Sequence, residues 1–439
     1  MRGKRVFAGL VGVEKATVED VWVEDVEGRA AVVVAVRAWK RQRSRCGICG
    51  CRCPGYDAGR GRRRWRALDL GTVVALVEAD APRVRCRSHG VVVAAVPWAA
   101  HDAGHTRVFD QQVSWLAVHT SKAAVTRLMR IAWRTVGSII SRVLAEAERD
   151  AAAAGWNPLD GLRRIGIDEI SYRRGQKYVV VVVDHDTGRL VWAGEGRTKQ
   201  TVRSFFDQLG PDRSAQISHV SADGADYIGA VVAERCPDAV RCADPFHVVA
   251  WVNDALARVR IDAWNQARVA MRSEPAPLPG WHMLRANQHL PARDAAKQLR
   301  GSRFALAKNP EDLTEKQQAK LNWVAANHPM LWRAYQLKEA LRGVFRLPLA
   351  DAADALQRWL SWARRCRIAA FVELQRRIRR HQDQILAAIE HQMSNALVES
   401  VNTKIRLLTR VAFGFHSARA LIAMAMLSLG PHRPALPGR

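Results

Sequence analysis

Asp168 is the first residue whose type and position indicate chemistry. It lies at or near the end of a short apolar strand predicted within residues 163–172, and a second predicted strand, 178–184, follows. The second strand is rich in β-branched residues, which is typical of a strand that is buried on both faces. A carboxylate at the tip of such a strand can bind a metal ion, although many acids at strand ends instead cap a turn or a helix.

Two further acids, Asp223 and Asp244, end predicted strands, and Glu399 lies on a helix predicted over residues 391–406. Four polar residues of that helix recur at spacings of four, three and four, so they share one face: Asn395, Glu399, Asn402 and Arg406. Such a face is either a solvated surface or the lining of a cleft. The sequence leaves both interpretations open.

A structural zinc site is predicted from two short motifs, CGIC at 46–49 and CRSH at 86–89. Each motif places two soft or borderline ligands two residues apart, so that both can turn onto one ion, and four such ligands suit tetrahedral zinc. The predicted ligands are Cys46, Cys49, Cys86 and His89. Cys51 and Cys53 leave the choice open, since either could replace Cys49.

The composition indicates a polyanionic partner. Lys and Arg number 68 against 42 Asp and Glu, which gives a formal net charge of +26. A surplus of this size repels itself unless a polyanion neutralises it, so nucleic acid is the expected partner. A basic run is predicted to contact phosphates, and it comprises Arg62, Arg63, Arg64 and Arg66.

The expected location is the cytoplasm. Four of the eight cysteines crowd into positions 46–53, which indicates metal binding in a reducing compartment rather than a disulfide scaffold. No positively charged start followed by an apolar stretch, and no apolar run approaching 18 residues, is found in the sequence. Neither a signal peptide nor a membrane span is therefore predicted.

Residues 107–150 have helical periodicity, and part of them predicts a helix-turn-helix. A helix over 123–129 is followed by a tight turn and by a second helix that begins near Trp133 with polar residues at its start. The residues expected to face a DNA groove are Arg134, Thr135 and Ser138. A plain helical hairpin is the alternative interpretation.

The region after residue 162 predicts a mixed sheet covered by helices. Three strands (164–171, 178–184 and 189–193) are followed by a helix (198–209), a strand (217–223), a helix (227–234) and a strand (239–244). Residues 248–390 are helical and basic, interrupted by a proline-rich loop at 275–280. We interpret this segment as a helical insertion between two parts of one fold.

Taken together, the motifs resemble those of a known family. Gly166-Ile-Asp168-Glu, Asp223-Gly, Asp244-Pro-Phe-His247 and the stretch from Ser394 to Arg406, after an N-terminal Cys-x-x-Cys ribbon, are similar to the DDE transposases of bacterial insertion sequences, in the ISL-three family. The order and spacing of these motifs carry the resemblance over nearly the whole chain. Position 245 is Pro where a basic residue is more usual, and His89 stands where a Cys is frequent.

The resemblance implies a multidomain α/β protein with an RNase H-like catalytic core. It implies that Asp168, Asp223 and Glu399 bind two Mg²⁺ or Mn²⁺ ions for DNA cleavage and strand transfer. Asp244 and His247 then support the ligands without binding the metal themselves, and His247 holds a carboxylate by a hydrogen bond. Asp244 is the alternative to Asp223 as the middle ligand. Glu169 is excluded by the expectation that neighbouring strand residues point to opposite faces.

The resemblance also implies the partners. Asn402, Lys404 and Arg406 would contact DNA phosphates, the zinc ribbon and the helix-turn-helix would bind the terminal inverted repeats, and the pairing of two DNA ends requires a homodimer or a higher homo-oligomer. The predicted domains are 1–100 (hairpin and zinc ribbon), 101–158 (helix-turn-helix), 159–250 (first part of the core), 251–388 (helical insertion), 389–430 (C-terminal core helices) and 431–439 (disordered tail).

Two other functions remain open at this point. A regulator derived from a transposase would bind DNA without cutting it, and a structure-specific nuclease on the same fold would cut without joining. The large helical insertion and the two-part N-terminal DNA-binding region both favour transposition, because recognition of the element ends needs sequence specificity.

Overall fold

The computed structural model describes residues 2–26, 28–273 and 291–438. The predicted loop at 275–280 lies outside these residues. The first element is a helix, α1 (Arg2–Leu10), which the sequence did not predict. Seven strands follow: β1 (Ala16–Val26), β2 (Arg29–Ala38), β3 (Gly55–Asp57), β4 (Arg62–Arg66), β5 (Val74–Asp80), β6 (Arg83–Cys86) and β7 (Gly90–Val93).

These strands form two sheets. The predicted hairpin is present as β1 and β2, and it joins a four-stranded sheet in the order β1-β2-β5-β4. Strands β4 and β5 therefore belong to the hairpin's sheet. The ribbon itself is the three-stranded sheet β3-β6-β7. Its small core consists of Cys46, Cys53, Val84, Cys86 and Ala94.

Three helices follow: α2 (Arg107–His119), α3 (Lys122–Met129) and α4 (Trp133–Ala153). The hydroxyls of Thr106 and Ser121 accept hydrogen bonds at the starts of α2 and α3, which satisfies backbone donors that a helix start leaves free. Arg130 ends α3 in the left-handed conformation, with φ 52°. This residue makes the tight turn between the two helices.

The region after residue 162 is built on a five-stranded sheet. Its elements are β8 (Arg164–Arg173), β9 (Lys177–Asp184), β10 (Leu190–Glu195), α5 (Lys199–Leu209), α6 (Pro211–Ser214), β11 (His219–Ala222), α7 (Asp226–Arg235) and β12 (Val240–Ala243). The strand order is β10-β9-β8-β11-β12, in which β8, β11 and β12 are parallel and β9 is antiparallel to both of its neighbours, β8 and β10. The predicted mixed sheet is confirmed.

The valine-rich β9 is buried on both faces. Val180 and Val182 pack in one cluster with the apolar residues of α5 and α7. Val179, Val181 and Val183 pack on the opposite face with residues of α2 and α4. Helices α2 and α4 therefore share a hydrophobic core with the five-stranded sheet.

A helical region separates this sheet from its last helices. It comprises α8 (Pro245–Ser273), α9 (Pro291–Gly301), α10 (Arg303–Ala307), α11 (Glu315–Asn327), α12 (Pro329–Val344), α13 (Leu349–Arg365), α14 (Ala369–Arg380) and α15 (Gln382–Glu390). Most of these helices pack around one hydrophobic core of their own. The domain boundary proposed at 251 falls inside α8, which is continuous from Pro245.

Two helices complete the chain, α16 (Ala396–Val411) and α17 (Ala418–Leu429), and both pack on the sheet face that carries Val179, Val181 and Val183. The tail after α17 has no helix or strand in its described part, and His432 packs edge-on against Trp156. None of the helices in the described residues is long and apolar enough to cross a membrane.

Candidate active site

The sheet brings Asp168 and Asp223 together. Strands β8 and β11 are parallel neighbours in which Ile167 is paired with Ala222, so Asp168, midway along β8, lies beside Asp223, which directly follows β11. Carboxylate oxygens of Asp168, Glu169 and Asp223 all lie within 4.8 Å of one another. The structure therefore gathers three acids where β11 ends beside the middle of β8; the expectation that Asp168 ends its strand is wrong, because β8 continues to Arg173.

The expectation that Glu169 points away from Asp168 is wrong, because the carboxylates of both residues lie in this group. The backbone N–H of Glu169 donates a hydrogen bond of 2.8 Å to Oδ1 of Asp168, so the Asp168 carboxylate is turned towards the following residue. The longer side chain of Glu169 is held by the Tyr227 hydroxyl at 2.6 Å and by Arg197 at 2.6 Å. Simple alternation of side chains does not account for these contacts.

Asn402 also differs from its predicted role. Its side chain is buried, and its Nδ2 donates a 2.8 Å hydrogen bond to Oδ2 of Asp168. A buried amide that is occupied in this way does not reach a DNA phosphate, so the predicted phosphate contact of Asn402 is corrected to a contact with Asp168. The opposite atom of the amide, Oδ1, has no hydrogen-bond partner among the described residues.

Glu399 lies in the first turn of α16, three residues before Asn402, and is partly buried. Helical spacing places it on the side of the helix that carries Asn402. Its carboxylate is not part of the group of three acids within 4.8 Å. The structure thus brings Glu399 to the same region without joining it to Asp168 and Asp223.

Asp244 and His247 form a hydrogen-bonded pair beside this group. Nδ1 of His247 lies 2.6 Å from Oδ2 of Asp244, and Asp244 is buried. Oδ1 of Asp244 accepts a hydrogen bond from the backbone N–H of Asn395, just before α16. The Asn395 side chain in turn accepts a 2.5 Å hydrogen bond from Ser221 on β11. These contacts fix the start of α16 against the sheet.

The electrostatics of the three acids favour a cation. Burial, together with the negative charges of Asp223 and Glu169, raises the pKa of Asp168 to about 6. Burial also raises the pKa of Glu169. The hydrogen bond to Asp244 raises the pKa of His247. Clustered carboxylates at a strand edge are hard oxygen donors that fit a divalent cation.

The four predicted zinc ligands form a second cluster, in which one ligand atom of each residue lies within 4.8 Å of the others. Sγ of Cys49 is 3.7 Å from Sγ of Cys86, and Nδ1 of His89 is 3.5 Å from Sγ of Cys86 and 3.7 Å from Sγ of Cys46. A zinc tetrahedron with bonds of about 2.3 Å to sulfur and about 2.0 Å to nitrogen has edges of about 3.5–3.8 Å. The spacing fits the ion.

The geometry of the cluster also distinguishes Cys49 from Cys51 and Cys53, either of which could have replaced it as a ligand. Cys49 belongs to the cluster, whereas Cys51 is exposed and Sγ of Cys53 donates to the Cys51 carbonyl. The hydrogen bond with His89 lowers the pKa of the Cys86 thiol to about 6. A thiolate is the form of cysteine that binds zinc.

The arginines of β4 have partners within the protein. Glu78 accepts from Nε of Arg62 at 3.1 Å and from Nε of Arg64 at 2.7 Å, and Arg64 also pairs with Glu24. The remaining two arginines are tied nearby, Arg63 to the carbonyl of Ala103 and Arg66 to Asp69. The run predicted to meet phosphates is therefore largely neutralised by the protein itself.

Other predicted DNA contacts face outward. Arg134 and Ser138 are exposed on the first turns of α4, with Thr135 partly exposed between them. Lys404 and Arg406 are exposed on α16. These five residues remain available to a ligand.

Three family models match the chain in the order of its domains. A zinc-finger model of the transposases of IS204, IS1001, IS1096 and IS1165 matches residues 42–89. A model for the helix-turn-helix domain of transposase family ISL3 matches residues 94–144. The ISL3 DDE model, described as a transposase, matches residues 165–425. The match to the helix-turn-helix model confirms that interpretation of α3 and α4 and not the alternative, a plain helical hairpin.

Curated relatives agree with the family models. The chain is 56% identical over 445 residues to the transposase for insertion sequence element IS1557 of Mycobacterium tuberculosis, covering 100% of this chain and 98% of the relative. It is 27% identical over 420 residues to the transposase for insertion sequence element IS1001 of Bordetella parapertussis, covering 94% and 95%. The chain belongs to the ISL3 family of insertion-sequence transposases.

Proposed function

We propose that this transposase binds the terminal inverted repeats of its insertion sequence, cleaves the DNA there and joins the freed 3′ end to target DNA. The group of Asp168, Glu169 and Asp223 is the observation that carries the catalytic part. It offers hard oxygen ligands for Mg²⁺ or Mn²⁺. The two relatives named as transposases for insertion sequence elements support the choice of substrate.

Two divalent ions in such a site activate an attacking oxygen and stabilise the leaving oxygen of a phosphodiester. Asp168 and Asp223 would hold the metal, because neighbouring parallel strands bring their carboxylates together. Glu399 or Glu169 would supply the third carboxylate. Asn402 orients Asp168, and the Asp244–His247 pair fixes the first turn of α16 through Asn395.

The N-terminal modules would supply recognition of the element ends. We assign structural zinc to Cys46, Cys49, Cys86 and His89, which would hold the short ribbon strands together. The start of α4, with Arg134, Thr135 and Ser138, would enter a major groove. The shared core between α4 and the catalytic sheet would then fix the distance from the recognised bases to the carboxylates.

Pairing of two element ends requires more than one catalytic site, so we expect a homodimer or a higher homo-oligomer on DNA. The substrate also places the protein with the bacterial chromosome in the cytoplasm.

Cleavage of a labelled duplex that carries the terminal repeat tests the proposal directly. The wild-type protein should nick it in Mg²⁺ or Mn²⁺ and not in chelator, and Asp168→Asn and Asp223→Asn should abolish nicking without loss of duplex binding. Specific binding without any cleavage by the wild type would favour the regulator. Cleavage without joining to a target duplex would favour the nuclease.

The third ligand is identified by two matched variants. Glu399→Gln and Glu169→Gln each remove one charge and keep the length of the side chain. If Glu399 binds the metal after rearrangement of the first turn of α16, its variant loses cleavage while Glu169→Gln retains it. Asp244→Asn should retain part of the activity, and full loss there with activity kept in Asp223→Asn would move the middle ligand to Asp244.

A further inference from the structure

The turn between α16 and α17 carries a side chain that stability alone does not explain. Phe413 has a positive φ of 54°, and its side chain is 84% exposed, more than any other large apolar side chain of the described residues. The other non-glycine residues with positive φ in the described part of the chain are polar or charged. A bulky aromatic residue is unfavourable in this conformation, and exposure of a phenyl ring adds a second cost.

The backbone geometry identifies the position as the end of a helix. The N–H of Phe413 bonds to the carbonyl of Arg410, and the N–H of Gly414 bonds to the carbonyl of Thr409 at 2.8 Å. This pair of bonds is the Schellman motif, in which the first residue after the cap is usually glycine. Here the glycine stands one position later, and a phenylalanine occupies the strained position.

The surroundings of Phe413 are basic and partly apolar. No acidic residue occurs between Ser400 and the C-terminus of the sequence. Leu407 and Val411 are further exposed apolar side chains on the last turns of α16. The exposed cations near the turn are Lys404, Arg406, Arg410 and Arg419. A cationic surface with a projecting aromatic ring is complementary to a nucleic-acid duplex rather than to another cationic copy of this surface.

This surface is continuous with the candidate active site. Glu399, Arg406 and Arg410 follow at spacings of seven and four along one side of α16, which Asn402 joins to Asp168, and Phe413 stands in the turn two residues after the last residue of the helix, Val411. From Asn402 to Val411 the helix rises about 14 Å. That length corresponds to about four base pairs of B-DNA.

We infer that Phe413 is a wedge that enters the stacked bases of the DNA held at the active site. The ring unstacks one base step about four base pairs from the phosphodiester at the carboxylates, while Arg406 and Arg410 hold the backbone phosphates on either side. Apolar wedges between base steps are a general way to distort a duplex at a protein surface. The inference rests on the proposed function, because the DNA is the substrate assigned there.

The test uses the full-length protein and terminal-repeat duplexes with 2-aminopurine at single positions within ten base pairs of the cut. Wild-type protein should raise the fluorescence at one step, since unstacking relieves quenching. Phe413→Gly should lose this rise and slow cleavage, whereas Phe413→Leu should keep part of both. Phe304→Ala removes another exposed phenyl ring, on α10, and should change neither.

Thermal unfolding separates the wedge from a structural role. Glycine suits the left-handed conformation, so Phe413→Gly should raise Tm while it loses the distortion of DNA. An unchanged fluorescence rise and unchanged cleavage in Phe413→Gly would overturn the wedge while leaving the proposed function intact. A change of oligomeric state in Phe413→Gly without DNA, with the fluorescence rise preserved, would overturn it in favour of a protein interface. Absence of cleavage by the wild type would count against the proposed function instead.

Discussion

At the scale of single residues, burial determines the chemistry of Asp168. The pKa of its carboxyl group is about 6, above its usual value of 3.8, because burial and two neighbouring carboxylates disfavour its charge. The folded protein therefore binds more protons than the unfolded chain between about pH 4 and pH 6. The contribution of Asp168 to the free energy of unfolding falls as the pH rises through this window.

This argument predicts that Asp168→Asn stabilises the metal-free protein at pH 7.5. The pKa shift corresponds to a gain of roughly 3 kcal/mol in the free energy of unfolding. The amide of Asn loses one of the hydrogen bonds that the Asp168 carboxylate accepts, which removes about 1 kcal/mol of this gain. Urea unfolding in chelator should show the increase at pH 7.5 and little of it at pH 4. The surface variant Asp212→Asn is the control. A less stable Asp168→Asn protein at pH 7.5 would contradict the proposed repulsion.

A second prediction concerns Asn402. Because its amide donates to Asp168 and is buried, Asn402→Ala should lower kcat for cleavage by about 10- to 100-fold, the usual cost of losing a group that orients a metal ligand. The Kd for the terminal-repeat duplex, measured by fluorescence anisotropy in Ca²⁺ or chelator, should be unchanged. Weaker binding with unaltered kcat would restore the phosphate contact predicted from the family.

At the scale of elements, the docking of α16 depends on one glycine of β8. A Cβ at Gly166 would lie 2.3 Å from Cγ2 of Val398 and 2.9 Å from Nε2 of His185. Gly166→Ala should therefore push α16 away from the sheet and destabilise the protein by about 1–3 kcal/mol. Adding Val398→Ala should recover part of the stability in a double-mutant cycle. Additive effects of the two substitutions would contradict this contact.

The zinc ribbon permits a test with a matched pair of cysteines. Cys49→Ser removes a ligand of the cluster, whereas Cys51→Ser changes an exposed thiol two residues away. Zinc content by mass spectrometry should fall below one ion per chain in Cys49→Ser alone. That variant should also lose duplex binding, because short strands without a sufficient core depend on the metal for folding. Loss of zinc from Cys51→Ser instead would reassign the ligand.

The strands and helices were largely predictable from the sequence, whereas the side-chain contacts between them were not. The valine run of β9 and the strands before Asp223 and Asp244 have periodicities that predict the sheet directly. The hydrogen bond between Asn402 and Asp168 joins residues that are 234 positions apart in the sequence. Only the helical spacing of Asn402 from Asn395 placed Asn402 on a candidate face of the helix. The basic run of β4 was assigned to DNA because neither the strand pairing that supplies Glu78 nor the ion pair of Arg64 with Glu24 is visible in the sequence.

At the scale of the whole molecule, the charge of +26 makes binding to DNA dependent on salt. Each phosphate contact releases counterions, so the logarithm of the binding constant falls with the logarithm of salt concentration by about 0.9 per contact. The structure distinguishes arginines that are free to make such contacts from those that are already paired. Arg134 and Arg406 are exposed, whereas Arg64 lies between Glu24 and Glu78.

Anisotropy titrations at several salt concentrations should therefore separate these arginines. Arg134→Gln and Arg406→Gln should each weaken binding and reduce the magnitude of the salt slope by about 1. Arg64→Gln should reduce it by much less, since its guanidinium is already neutralised and a DNA contact would first have to break that pairing. An equal reduction in Arg64→Gln would show that the arginines of β4 exchange their carboxylates for phosphates on the duplex.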